Sequence, residues 1–269
     1  MELSLERGRM RERVSEVEWE TRVELAACYR LVARYGMADL IYNHITARVP
    51  DEPHHFLINP FGFLYEEMTA SSLFKIDLEG NVIDRPDVPY EVNHAGYVIH
   101  SAIHAVRHDV ACVLHTHTRA GMAVSVMDCG LLPATISAMR YHKRMAYHEY
   151  EGPVVDEGER ERLVANLGDR DAMILRNHGL LTCGRGIPEA FLLMQRLENA
   201  CKVQVDFLAS GQPVHMPTEE SIEKSARIMA PPTVVGRTGN EAKLGNWDGR
   251  REWSALIRQL DREDPSYRD

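Results

Sequence analysis

Two histidines close an apolar segment of the sequence, and a third follows a second apolar segment. ACVLHTHTR places His115 and His117 two residues apart after a run of small and aliphatic side chains. Side chains alternate along a strand, so both imidazoles should point to one side and Thr116 to the other. His178 lies in AMILRNHGLL, where a strand meets a turn. Three imidazoles from two strand ends can hold one divalent ion and leave coordination positions for water or a substrate.

Another group of histidines has helical spacing. His100, His104 and His108 follow one another at intervals of four residues, so they lie on one face of a helix. Such a face could chelate an ion or simply face solvent, and the spacing alone does not choose between the two. Because histidine spacing alone does not identify a metal site, the metal prediction for His115, His117 and His178 rests on the HxH pair together with the strand and turn around His178.

Composition limits the classes of function. The 269 residues can form one large domain or two small ones, with 44% hydrophobic and 26% charged residues. A net charge of −9 disfavours nucleic acid as a partner but leaves a small anionic substrate open. The charged start of the chain lacks the apolar stretch of a signal peptide, and no run of apolar residues is long enough to span a membrane. Five scattered cysteines without a CxxC pair suit reduced thiols, so we expect a cytoplasmic protein.

Short extended segments and amphipathic helices alternate along the chain. The pattern predicts helices over residues 17–35, 94–107, 156–167, 188–209 and 253–261. It predicts strands over 43–49, 55–58, 74–78, 82–83, 110–116 and 172–175. So many short strands indicate an antiparallel or mixed sheet within an α/β fold. We expect a charged leader over residues 1–15, a main domain over 16–212, and a C-terminal arm and helix over 213–269, the arm being the Pro/Gly/Thr-rich stretch 231–245.

Several long stretches resemble a known family. They are LIYNHITARVP, HFLINPFGFLYEEMTASSLFKIDLEGNVID, HSAIHAVRHDVACVLHTHT, AYHEYEG and ILRNHGLLTCG. Over about residues 20–210 the chain resembles the class II aldolase/adducin family, specifically its adducin-type branch. The resemblance implies an α/β/α sandwich around a mostly antiparallel sheet, and a homotetramer with the site near a subunit interface. It also implies a metal ion, zinc in the aldolases, held by His115, His117 and His178.

The acid/base position departs from the family pattern. The glutamate that the resemblance implies would fall at position 96, where this chain has Gly96, and the nearest acid is Glu91. His94 and Tyr97 lie closer and could carry the proton in catalysis. The family also supplies a tyrosine to a neighbouring subunit from the region after the HxH pair, which here indicates Tyr141.

The substrate positions depart as well. The small residue pairs that contact phosphate in sugar-phosphate members read Tyr42-Asn43 and Phe61-Gly62 here. Asn43 and Gly62 could still contact a substrate, whereas the bulky aromatics disfavour close approach of a phosphate, unless they turn into the core.

A cationic segment follows the HxH pair. It runs Ser137-Ala-Met-Arg140-Tyr141-His142-Lys143-Arg144. Arg140 and His142 could receive a carboxylate through charge-assisted hydrogen bonds, although a solvated charged turn has the same composition.

Three functions fit these residues. The first is a divalent-metal-dependent lyase of aldolase or decarboxylase type on a small oxygenated, carboxylate-bearing substrate. Zn²⁺ is the expected ion, with Fe²⁺ or Mn²⁺ as alternatives. The second is a non-haem iron oxygenase that uses the same three histidines. The third is a non-catalytic, adducin-like interaction module.

Overall fold

A computed structural model of the chain describes residues 10–152, 157–229 and 249–269. In chain order the helices are α1 (Glu16–Arg34), α2 (His94–Val106), α3 (Arg119–Ser125), α4 (Ile136–Met139), α5 (Glu157–Leu167), α6 (Ile187–Ala209), α7 (Glu219–Met229) and α8 (Arg250–Glu263). The strands are β1 (Ile45–Val49), β2 (Glu52–Ile58), β3 (Phe74–Asp77), β4 (Val82–Asp84), β5 (Cys112–Thr116), β6 (Met145–His148), β7 (Ala172–Leu175) and β8 (Gly179–Gly184).

The strands form one sheet in the order β4-β3-β2-β1-β5-β8-β7-β6. Neighbouring strands are antiparallel throughout, except that β6 and β7 are parallel. The parallel pair is joined through α5, because parallel neighbours need a long crossover connection. The mostly antiparallel sheet predicted from the sequence is therefore confirmed.

Helices cover both faces of the sheet. Buried side chains of α1 and α6, with Trp253 and Leu260 of α8, pack on the face to which Cys112 and Leu114 of β5 point. Helices α2 and α5 pack on the other face, where Val113 lies. The period-two alternation along β5 thus divides its side chains between two apolar layers. The result is the α/β/α sandwich that the family resemblance implied.

The loop from 36 to 44 is fixed at both ends. Helix α1 ends before Gly36, which has a left-handed φ of +66° and lies where the sequence predicts the helix to stop. At the other end, the hydroxyl of buried Tyr29 in α1 donates to the carbonyl of Ile45 and accepts from its N–H at 2.9 Å. This loop leads directly into β1, the strand that pairs with β5.

Two strands and three helices were not predicted from the sequence: β6, β8, α3, α4 and α7. Strand β8 continues an apolar run that was interpreted as a turn after His178. The predicted arm, 231–245, lies outside the described residues. Helix α8 begins three residues earlier than expected and is tied to α1, since Arg30 pairs with Asp264 at 3.0 Å. Within the described ranges, none of the helices is both long and apolar enough to cross a membrane.

Candidate metal centre

The three predicted histidines meet at one end of the sheet. His115 is in β5 and His117 follows its last residue, while His178 lies in the turn between β7 and β8. Because β8 pairs with both β5 and β7, the turn is brought to the end of β5. The Nε2 atom of His117 is 2.8 Å from that of His115 and 2.9 Å from that of His178. Thr116 points the other way, as predicted, and its hydroxyl contacts Met194 of α6.

The backbone of the turn that carries His178 restricts which residues can flank this histidine. Asn177 adopts a left-handed φ of +57°, which asparagine tolerates better than most residues. A Cβ atom on Gly179 would lie 2.3 Å from the carbonyl oxygen of Thr116, so only glycine lets β8 pass this close to β5. The Asn-His-Gly sequence therefore has a physical reason on each side of the histidine.

Hydrogen bonds at the outer ring nitrogens orient two of the imidazoles. Nδ1 of His115 lies 2.8 Å from the carbonyl oxygen of Leu180, so it must carry the hydrogen and donate. Its Nε2 then keeps a lone pair for a metal ion. Nδ1 of His117 lies 3.2 Å from Oδ2 of Asp39, an acid that sequence reasoning did not single out. No spacing rule pointed to Asp39, because it lies 78 residues away in the 36–44 loop.

Burial favours the neutral form of His115 and His178. It holds the pKa of His115 well below its usual value, with the neighbouring His178 and His117 acting in the same direction. Burial, and then His117, lowers the pKa of His178 to about 4. Neutral imidazole is the form that binds metal ions.

The donor set fits one divalent ion. The three Nε2 atoms converge closely enough for one ion to bind them all at about 2.0–2.1 Å, with a small separation of the rings needed for tetrahedral geometry. In the described part of the chain, this cluster contains three histidines and no carboxylate. His115 is buried, while His117 and His178 are partly accessible, so one side of the cluster remains open.

The predicted substrate residues lie in two loops. Asn43 is 1% exposed, and neither Nδ2 nor Oδ1 of its side chain has a hydrogen-bond partner among the described residues. The aromatics beside these positions do not turn into the core: Tyr42 is 54% and Phe61 36% exposed, with ring centroids 6.2 Å apart. Gly62 has a φ of +128°, and a Cβ atom there would meet the ring of Tyr90.

The predicted proton carriers have contacts away from the three histidines. Tyr97 is buried and its hydroxyl donates to the carbonyl of Asp77. Tyr141 is buried too, and its hydroxyl donates to the carbonyl of Leu193 at 2.6 Å. Burial raises the pKa of both phenols above their ordinary value. His94 begins α2, but its side chain lies outside the described part of the structure.

The cationic segment 137–144 lies at the other end of β7 from His178. Met145, which follows it, pairs with Ala172 at the beginning of β7. His142 lies 3.1 Å from Glu219 of α7, and Lys143 lies 2.5 Å from Glu223. Arg144 pairs with Asp171 at 2.8 Å, and Arg140 is buried. Much of the positive charge of the segment is therefore matched by acids of the same chain.

Two of the three histidines at helical spacing are buried and do not face solvent. His100 and His104 are fully buried, and Thr46 of β1 hydrogen-bonds to both at 2.8 Å. His44, which the sequence analysis overlooked, lies next to both His100 and His115, with its ring centroid 4.2 Å from that of His100 and 5.8 Å from that of His115. His108 is exposed. The spacing of four thus marks a packing contact between α2 and the sheet.

A narrow cavity adjoins His178. It is lined by His178, Tyr150, Glu159 and His148, among others. Nε2 of His148 lies 3.7 Å from Glu159, and both side chains are buried. The ring of Tyr150 is centred 6.5 Å from that of His178. Tyr150 belongs to the AYHEYEG stretch, which gave no functional signal by itself.

Comparison with known proteins decides the family. The family model of the class II aldolase and adducin N-terminal domain matches residues 23–205 of this chain. The chain belongs to the class II aldolase and adducin family. An aldolase II superfamily protein from Pseudomonas syringae has a similar solved structure, with a TM-score of 0.86, 48% sequence identity, and coverage of 96% of this chain and 99% of that one.

Two further relatives represent the two branches of the family. The structure of L-fuculose 1-phosphate aldolase from Glaciozyma antarctica PI12 matches with a TM-score of 0.78 and 27% identity, covering 94% of this chain and 93% of that one. Alpha-adducin of Rattus norvegicus is 46% identical over 244 residues, which is 89% of this chain and 33% of the length of adducin. The family therefore contains both a named sugar-phosphate aldolase and adducin.

Proposed function

We propose that the chain is a divalent-metal-dependent carbon–carbon lyase, of aldolase or decarboxylase type, that acts on a small oxygenated substrate. The observation that carries this proposal is the convergence of the three Nε2 atoms of His115, His117 and His178 at an open end of the sheet. Membership of the class II aldolase and adducin family supports it. Zn²⁺ is the ion we expect, and Fe²⁺ or Mn²⁺ would suit the same nitrogens.

Each residue would have a distinct part. A bound ion would supply Lewis acidity that polarises a carbonyl or hydroxy-carbonyl group of the substrate. Asn43 would position the substrate, since a buried amide without a protein partner is costly unless a ligand completes its hydrogen bonds. His94, Tyr97 and Tyr141 remain the predicted proton carriers. Tyr150 joins them because it lies beside His178 and is 55% exposed.

We still predict that the substrate carries a carboxylate, but its recognition by Arg140 and His142 requires a neighbouring subunit. Within one subunit, Arg140 and His142 lie at the end of β7 that is remote from His178. They could therefore contact a substrate at the metal only by entering the site of a neighbouring subunit. A homotetramer with sites near subunit interfaces, which we expect from the family resemblance, would allow this.

A non-catalytic interaction module is the second candidate. The observation in its favour is 46% identity to alpha-adducin. The two candidates differ in what the histidines do, because a module that only binds another protein does not need a metal ion at an open site.

Metal content separates the candidates. The full chain should be purified without added metal and analysed by elemental mass spectrometry, together with His117→Ala and, as a control, His108→Ala, since His108 is exposed and outside the cluster. We expect one ion per parent chain, retention in His108→Ala and loss in His117→Ala with a lower melting temperature, because an ion bound only to the folded state stabilises it. Zinc would support the lyase, and iron with oxygen uptake would favour the oxygenase. Absence of metal from the parent would refute the lyase proposal and favour the module.

A further inference from the structure

We infer that Asp39 is a positioning residue of the metal centre, which orients His117 and keeps its Nε2 atom available to the ion. This inference rests on the proposed metal site. Oδ2 of Asp39 lies 3.2 Å from Nδ1 of His117, and Nε2 of the same ring faces the other two histidines. A carboxylate that accepts the Nδ1 hydrogen fixes the tautomer, limits rotation of the ring and increases the basicity of the ligating nitrogen.

The two oriented ligands have different outer partners. His115 donates from Nδ1 to the backbone carbonyl of Leu180, which is part of the sheet. His117 follows the last residue of β5, and its outer partner is a side chain from a distant loop. Replacing Asp39 can therefore test the orientation of one ligand without disturbing the pairing of β5 and β8.

The loop around Asp39 holds the carboxylate in place at some cost. The N–H of Met37 donates to Val32, and the N–H of Tyr42 donates to the carbonyl of Asp39, each at 2.9 Å. Leu40 within this turn has a left-handed φ of +48°, a conformation that costs a non-glycine residue roughly 1–2 kcal/mol. Leu40 is 68% exposed, so burial of its side chain does not explain the conformation. The strained turn is consistent with a loop that is held to present Asp39 to His117.

Asp39 does not replace the acid that is absent at Gly96. It contacts Nδ1, whereas the ion would lie beyond Nε2 on the other side of the imidazole ring. The carboxylate therefore acts through His117 and is separated from the ion by the ring. Its loss should change how tightly and in what geometry the ion is held.

The test compares metal binding by the full chain and its Asp39→Ala and Asp39→Asn variants. The probes are Zn²⁺ affinity, measured by competition with a chromophoric chelator, and the visible absorption spectrum of the Co²⁺-loaded protein. We expect Asp39→Ala to weaken zinc binding by about 10- to 100-fold and to alter the cobalt spectrum, because His117 is free to turn. Asp39→Asn should be intermediate, since its amide oxygen still accepts a hydrogen bond but carries no charge.

Asp87→Asn serves as the matched control, because Asp87 is an exposed acid outside the cluster. It should bind zinc as the parent does, and the metal-free melting temperatures of all variants should agree within a few degrees. Equal zinc affinity and equal cobalt spectra for the parent and Asp39→Ala would overturn the role of Asp39. A parent chain that binds no zinc or cobalt would instead overturn the metal site on which the inference rests.

Discussion

The Asn-His-Gly turn shows how single residues fix the position of a ligand. His178 can reach Nε2 of His117 only because β8 begins close to the end of β5. Gly179 makes this possible, since any larger residue would place its Cβ atom against a backbone carbonyl. A backbone atom of a central strand cannot move aside as the end of a flexible side chain can.

Gly179→Ala should therefore damage both stability and metal binding. We expect a loss of about 1–3 kcal/mol in the free energy of unfolding from overpacking, with a reduced metal content, measured by chemical denaturation and elemental analysis. Gly186→Ala is the comparison, because its Cβ would make only ordinary contact with Pro188 at 3.6 Å. Similar losses for the two variants would show that the close approach of β8 to β5 does not control the site.

Other single residues determine which substrates fit. Position 96 is glycine where the family resemblance implies an acid/base glutamate, and the exposed aromatics Tyr42 and Phe61 replace small residues beside Asn43 and Gly62. A phosphate cradle needs backbone N–H groups that can approach the ligand closely. Large side chains at its rim oppose that approach.

We accordingly expect no useful cleavage of phosphorylated ketoses such as fuculose 1-phosphate or rhamnulose 1-phosphate. The measurement is a coupled retro-aldol assay of the metal-loaded chain, with a known fuculose-phosphate aldolase as the positive control. Turnover at a rate comparable to that control would show that a residue other than a glutamate at position 96 serves as the acid/base for sugar phosphates.

Among the elements, helix α2 makes a polar contact with the sheet inside an otherwise apolar layer. His100 and His104 share the hydroxyl of Thr46 in β1, and His104 also stacks on Phe56 of β2 with ring centroids 4.3 Å apart. Burial, and then the charge of Arg48, lowers the pKa of His104 to about 3. The folded state therefore keeps this imidazole neutral at pH values where the unfolded chain protonates it.

This contact should make the fold sensitive to acid. Below pH 6.5, the ordinary value, the unfolded state binds a proton at His104 that the folded state excludes, so stability is lost as pH falls toward 3. The expected slope is up to about 1.4 kcal/mol per pH unit from this group. Denaturant unfolding of metal-free protein between pH 7 and pH 5 should show a shallower pH dependence for His104→Gln than for the parent. Exposed His108→Gln should behave as the parent, and an unchanged slope in His104→Gln would contradict the assignment.

Sequence patterns predicted the helices that have a periodic buried face and the histidines that lie in short motifs. Periodicity identified α1, α2, α5 and α6 to within one or two residues, because their buried faces repeat at helical spacing. The HxH spacing and the Asn-His-Gly turn indicated the three histidines because strand alternation fixes their direction. Strand β8 was missed because an apolar run after a turn has no period that distinguishes a fully buried strand from a buried turn or helix. Asp39 was missed because its contact with His117 depends on the path of a loop rather than on a pattern.

At the scale of the whole molecule, the two ends of the sheet carry different functional groups. The histidines lie where β5 ends and β8 begins, while the segment 137–144 lies where β7 begins. Sequence spacing cannot show this separation, because the segment 137–144 is brought to the beginning of β7 only by the pairing of β6 with β7. Oligomeric state is therefore the property on which the predicted roles of Arg140, Tyr141 and His142 depend.

The long separations along the chain within the metal centre also have a consequence for folding. His117 is 61 residues from His178 and 78 from Asp39. The three histidines therefore meet only after β5 has paired with β8, and Asp39 contacts His117 only after the 36–44 loop has closed. Closing such long loops is slow compared with forming a hairpin. The rate at which a refolding chain takes up cobalt would therefore report the completion of long-range strand pairing. With 13 histidines available, an ion added to the unfolded chain can instead crosslink non-native pairs, so supplying it only after the sheet has assembled should give the higher recovery.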